Sequence, residues 1–171
     1  MAELLSKSML CSQDIEYIEN IKIADDSLTN ILSSILNFSE IESGKITLQN
    51  KEFNIISRVD KIIKELLLTK KKDVNLSCEF SKDMPSILIG DSERLAQIIT
   101  NIVENSIKFT EKGNISLKII RSPDVLKENT VAIVFSILDE GIGIPKEELK
   151  NIFEPFTQVR KFLNKKHSGI G

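Results

Sequence analysis

Apolar positions along the chain recur in two rhythms, of about 3.6 and 2 residues, and each change of rhythm marks a new element. Over residues 10–38 the steps alternate between four and three: Leu10, Tyr17, Ile21, Ala24, Leu28, Ile31, Ile35 and Phe38, with Asp14 the one polar exception. That spacing predicts a helix with an apolar seam. Ile15, Ile18, Leu32 and Leu36 widen the seam into a stripe suited to a helix packed on several neighbours. A helix folded back on its own domain and a bundle shared by two subunits both satisfy it. Ser43 and Gly44 stop the pattern, residues 45–48 read as an extended lead-in, and the domain boundary falls between residues 44 and 45.

A second helix is predicted from its N-cap, Asn54, through Ile55, Val59, Ile62, Ile63, Leu66 and Leu67 to the basic end Lys70, Lys71, Lys72. Val74, Leu76, Cys78 and Phe80 alternate with polar residues and predict a strand with one buried face. A brief apolar run, residues 87–89, leads to Asp91, expected to cap a helix carrying Leu95, Ile98, Ile99, Ile102 and Val103 inward. A turn at residues 111–114 closes that helix. Two strands follow, on Ile115, Leu117 and Ile119 and on Val131, Ile133, Phe135 and Ile137, joined as a hairpin around Ser122 and Pro123. A short helix is expected from Pro145. This order gives an α+β chain: a two-layer α/β sandwich with helices on one face of a mixed sheet, preceded by a long helix.

With 41% hydrophobic and 28% charged residues over 171 positions, the composition is globular, and disorder is disfavoured. Twenty-three basic against 25 acidic residues leave a formal charge of -2, so no global field attracts nucleic acid or an acidic membrane. Bound anions must be held locally. Cys11 and Cys78 lie far apart without metal-ligand spacing and read as reduced thiols of a cytoplasmic protein. No apolar run reaches membrane-spanning length.

Three segments offer chemistry. On the helix after Asp91, the side opposite the apolar stripe presents Gln97, Asn101, Asn105 and Lys108 at steps of four, four and three. Amide oxygens there can join a magnesium shell and the lysine can meet a phosphate, or the face is simply solvated. Asp139, Glu140, Gly141, Ile142, Gly143, Ile144 and Pro145 follow a strand; an acid there can accept from the exocyclic amine of adenine, or it caps a turn. The dinucleotide fingerprint and the lysine-ending phosphate loop are both absent. Phe153 and Phe156 flank Pro155 and read either as part of the site or as a loop anchor. Residues 158–168 then read as a mobile flap leading to Gly169, Ile170 and Gly171, with the lone His167 a surface residue.

Together these segments resemble the catalytic domain of sensor histidine kinases, members of the GHKL superfamily that also includes DNA gyrase B and MutL. Residues 97–110 look like the N box, 139–145 the G1 box, 153–156 the F box and Gly169 onward the start of the G2 box. Phe38, Ser39, Glu40, Ile41, Glu42, Ser43, Gly44 and Lys45 are similar to the stretch leaving the second dimerisation helix, particularly in hybrid kinases.

The resemblance implies a GHKL, or Bergerat, ATP-binding fold and phosphoryl transfer from Mg-ATP to a histidine, then to the receiver domain of a response regulator. It implies a homodimer formed through the helix bundle. Asn105, helped by Asn101, would hold magnesium; Lys108 would contact phosphate and Asp139 adenine, with Gly141 and Gly143 shaping the pocket. Phe109, Ile144, Phe153, Phe156, Gly169 and Gly171 would complete the nucleotide surround. Asn101 stands where hydrolytic relatives are expected to carry a glutamate base, which favours transfer over hydrolysis. An ATP-sensing module without transferase activity and a GHKL-type ATPase are the alternatives. By the resemblance, the phosphoacceptor histidine would fall before Met1 and the sheet's last strands after Gly171, so the fragment is expected to bind ATP weakly at best and to be inactive alone.

Overall fold

Helix α1, Ser12–Glu42, extends over 31 residues. Its apolar stripe stands in the open: Tyr17, Ile21, Leu28, Leu32 and Leu36 are each more than half exposed. Gly44, at φ +63°, ends it as anticipated, its amide donating to the Ile41 carbonyl at 3.0 Å. A left-handed residue there costs glycine nothing and other residues strain. The computed structural model describes residues 12–44, 46–69, 73–123, 129–154 and 157. These divide into two compact units, one ending at Thr47 and the other beginning at Leu48.

The second unit opens with β1, Lys51–Asn54, and α2, Ile55–Thr69. Asn54 is the cap the sequence indicates, its Oδ1 accepting the Ser57 amide at 2.9 Å. Strands β2, Asp73–Phe80, and β3, Ile87–Gly90, precede α3, Ser92–Phe109. Asp91 caps α3, accepting from the Arg94 amide at 3.0 Å, while its other oxygen takes the Gln49 amide, also at 3.0 Å. Those donated bonds hold its carboxyl below the ordinary carboxylate range. Strands β4, Lys112–Arg121, and β5, Ile133–Asp139, complete the unit.

β2, β4 and β5 form one mixed sheet in that order, β2 parallel to β4 and β5 antiparallel to it. Among the described residues only one face is covered. Ile115, Leu117 and Ile119 of β4 are completely buried, and Leu117 and Ile119 share one core with Ile55, Val59, Ile62 and Leu66 of α2 and Ile99 and Val103 of α3. The other face shows Lys118, Ile120 and Val134 to solvent. Each buried isoleucine contributes about 1.5–3 kcal/mol. The Arg58–Glu93 ion pair, at 2.6 Å, joins the two helices at their surface and adds only about 0–1 kcal/mol. Packing, rather than the ion pair, therefore holds the helices and sheet together.

Several expectations need correction. β1 and β3 pair antiparallel, with Phe53 opposite Leu88, where no strand pair was anticipated. The residues expected to form a turn at 111–114 largely belong to β4, because β2 recruits Lys112, Gly113 and Asn114 into register. Ile98 and Ile102 do not point inward; they are 58% and 44% exposed, since the stripe that meets the core is Ala96, Ile99, Val103 and Ser106. In place of a short helix after Pro145 there is a run of turns: amides of Glu148, Asn151, Glu154 and Thr157 each donate to the carbonyl three residues before. Bonds closed over three residues follow the 3₁₀ pattern rather than the four-residue α-helical ladder.

Candidate functional site

Residues of odd number in β5 face the helices: Ile133, Phe135 and Ile137 pack against the core. Asp139, the last residue of the strand, keeps that parity, so its carboxylate is delivered to the helix layer. It meets α3 there. The Ser106 hydroxyl donates to Asp139 Oδ2 at 3.2 Å, and the Gly141 amide donates to Oδ1 at 3.0 Å.

The loop after Asp139 folds onto the end of α3, where the Ile142 amide reaches the Phe109 carbonyl at 3.3 Å. A Cβ on Gly141 would lie 2.8 Å from that carbonyl oxygen and 3.1 Å from Thr110 Oγ1. Only glycine fits. Gly143 differs: at φ +67° it needs glycine for conformation, and an added Cβ meets nothing within 4 Å among the described residues. The first glycine therefore packs against the protein itself, while the second borders open space.

Along α3, Asn101 and Asn105 are exposed on the side away from the buried stripe, with Gln97 and Lys108 half-buried in line with them. Gln97 accepts from Arg94 on its own helix at 3.2 Å. The Lys108 ammonium lies 5.3 Å from the Phe109 ring centroid, within cation–π range. Asn105 directly precedes Ser106, so the amide face and the Asp139 carboxylate are tied to adjacent residues. Ile144 is about half exposed and Phe153 is 90% exposed. Phe156, His167, Gly169, Gly171 and Cys11 lie outside the described residues.

Two contributors went unforeseen. Ser106 had a signal: it is the one hydroxyl in the stripe that also carries Ala96, Ile99 and Val103. Glu140 had none, because its partner Asn114, whose amide it accepts at 2.9 Å, is assigned only by the sheet register. Among the described residues no group of three His, Cys, Asp or Glu side chains converges to hold a metal ion. Burial, then the charges of Asp60 and Glu79, push the Cys78 thiol up to about 11, which disfavours the thiolate. A cavity of about 210 Å³ between Asp83, Arg121 and Ala132 opens at the other end of the β4–β5 hairpin, away from Asp139.

Residues 90–171 match the model of the histidine kinase-, DNA gyrase B-, and HSP90-like ATPases. The whole chain aligns with the peroxide stress-activated histidine kinase mak2 of Schizosaccharomyces pombe at 36% identity, and 98% of it with the histidine-protein kinase BarA of Escherichia coli at 34%. Over residues 90–171 the chain is similar to the histidine kinase-like ATPase family. It spans 8% of mak2 and 18% of BarA. The crystal structure of full-length ShkA in complex with AMPPNP superimposes on 92% of this chain, with a TM-score of 0.73 and 25% identity over 33% of ShkA. The GHKL-type α/β sandwich expected of such an ATPase domain is the fold found. None of its described helices is long and apolar enough to cross a membrane.

Proposed function

We propose that this chain is the ATP-binding catalytic piece of a histidine kinase in two-component signalling, carrying the last helix of the dimerisation bundle ahead of it. The observation that supports this most is the joint between β5 and α3: a carboxylate fixed by Ser106 and Gly141, one residue from the amide of Asn105.

The residues fit a magnesium nucleotide. Asp139 offers acceptor oxygens to the exocyclic amine of adenine, and the open side of Gly143 gives the base a place to lie. Asn105 and Asn101 present exposed amide oxygens, which suit magnesium once phosphates carry the negative charge. Lys108 meets a phosphate as a point charge. Phe109, Ile144, Phe153, Phe156, Gly169 and Gly171 are assigned to the surround of the nucleotide. Bound Mg-ATP would supply the phosphoryl group and the charge that neutralises its transfer. Asn101 cannot take a proton from water, and Glu104 leaves the helix at a different angle, so transfer to a histidine is favoured over hydrolysis.

The exposed stripe of α1 is assigned to a bundle shared between two copies, and the receiver domain of a response regulator to the next phosphoryl acceptor. The test is to supply a separate dimerisation domain bearing its histidine, with Mg-ATP, and to follow phosphohistidine and free phosphate together. Phosphohistidine formation supports the proposal. Free phosphate alone points to an ATPase, and nucleotide binding without either product to a sensing module.

A further inference from the structure

The register of β4 against β5 places Asp139 opposite Ile115 and would place Glu140 opposite Asn114. At that step the ladder stops. The Glu140 side chain, rather than a strand carbonyl, accepts the Asn114 amide at 2.9 Å, and its two oxygens take the Asn114 side-chain amide at 3.4 and 3.3 Å. Asn114 is itself tied to β2, its Oδ1 accepting from Asn75 at 3.4 Å. The neighbouring Gly113 sits at φ +130°, and a Cβ there would collide with the Glu140 carboxylate. A glycine that yields both the backbone angle and the space for one acidic side chain marks a fitted contact.

The clasp has a consequence for the residue beside it. Ending the ladder with a side chain frees the backbone after Asp139 to turn away from the sheet. It is this turn that brings the Ile142 amide to Phe109 and the Gly141 amide to Asp139. Glu140 thus fixes the outer side of the dipeptide while Ser106 fixes the inner side.

We propose that Glu140, seated in the space left by Gly113, is a positioning residue that aims the Asp139 carboxylate at the adenine amine. This rests on the reading of Asp139 as the adenine contact. The measurement is a 15N nuclear magnetic resonance titration of the 171-residue chain with ATP and with inosine triphosphate, which carries a carbonyl where adenine carries its amine. Wild type is expected to prefer ATP. Glu140→Ala is expected to reduce that preference about tenfold by weakening ATP alone, and Glu140→Gln, which keeps an acceptor oxygen, to restore most of it. A purely structural role would weaken both nucleotides alike, and equal losses or an unchanged ratio overturn the proposal. A wild type without preference overturns the reading of Asp139 first, and this inference with it. Should Glu140→Ala not fold, Asn114→Ala deletes only the side-chain part of the clasp: a lowered ratio supports the proposal and an unchanged one overturns it.

Discussion

The Ser106 hydroxyl, buried in the stripe that α3 turns to the core, donates to Asp139 at 3.2 Å and joins the helix of the amide face to the strand that ends in the acid. Replacing Ser106 with alanine removes the donor but keeps the volume and raises helix propensity, so the fold is expected to persist. The lost hydrogen bond is worth about 0.5–1.5 kcal/mol. ADP affinity measured by titration calorimetry is expected to fall several-fold while the melting temperature moves little. A large drop in melting temperature would show instead that Ser106 serves packing.

Gly141→Ala places a methyl group 2.8 Å from the Phe109 carbonyl, a backbone atom that cannot rotate away. The loop must shift, at a cost of about 1–3 kcal/mol. Urea unfolding is expected to show that loss together with weakened ADP binding. Gly143→Ala is strained by its φ of +67° but meets no neighbour among the described residues, so its damage is expected to be smaller.

Asp91 gives a pH signature. Its native carboxyl lies below the ordinary 3.8 because the Gln49 and Arg94 amides favour its charged form. The stability it contributes is therefore complete above the unfolded value and is lost as pH falls through the lower native one. Asp91→Asn keeps a capping oxygen without the charge. Urea melts from pH 7 downward are expected to show wild type more stable than the variant near neutrality, the gap closing below about pH 3.8.

Leu28, 55% exposed in the middle of the α1 stripe, tests the shared bundle. Leu28→Asp would bury an unpaired carboxylate on assembly. Sedimentation equilibrium is expected to show weaker self-association in the variant. A wild type that is already monomeric at high micromolar concentration would contradict the bundle assignment.

Much of this was legible in sequence because it is local. The caps Asn54 and Asp91, the stop at Gly44, the alternation of β2 and the β4–β5 hairpin all follow from patterns within a few residues. What was hidden depends on partners distant along the chain. β1 has Phe53 as its one apolar residue and becomes a strand through β3, some 35 residues on. Gly113 and Asn114 resemble a turn until β2 is placed beside them. Ile98 and Ile102 share an apolar label with Ile99 and Val103 but fall off the angle that meets the sheet. The site follows the same rule: Asp139 and the glycines stood out, whereas the Glu140 clasp required the register.

The most direct test follows backbone amide shifts of the uniformly 15N-labelled chain as ADP is added with and without magnesium, for wild type and Asp139→Ala. Wild type is expected to shift at residues 139–143 with either addition, and at Asn101 and Asn105 mainly with magnesium. Asp139→Ala is expected to lose the response in both conditions while its remaining spectrum stays folded. Unchanged binding by Asp139→Ala, or wild-type shifts that map away from β5 and α3, would contradict the assignment of this chain as an adenine-nucleotide site.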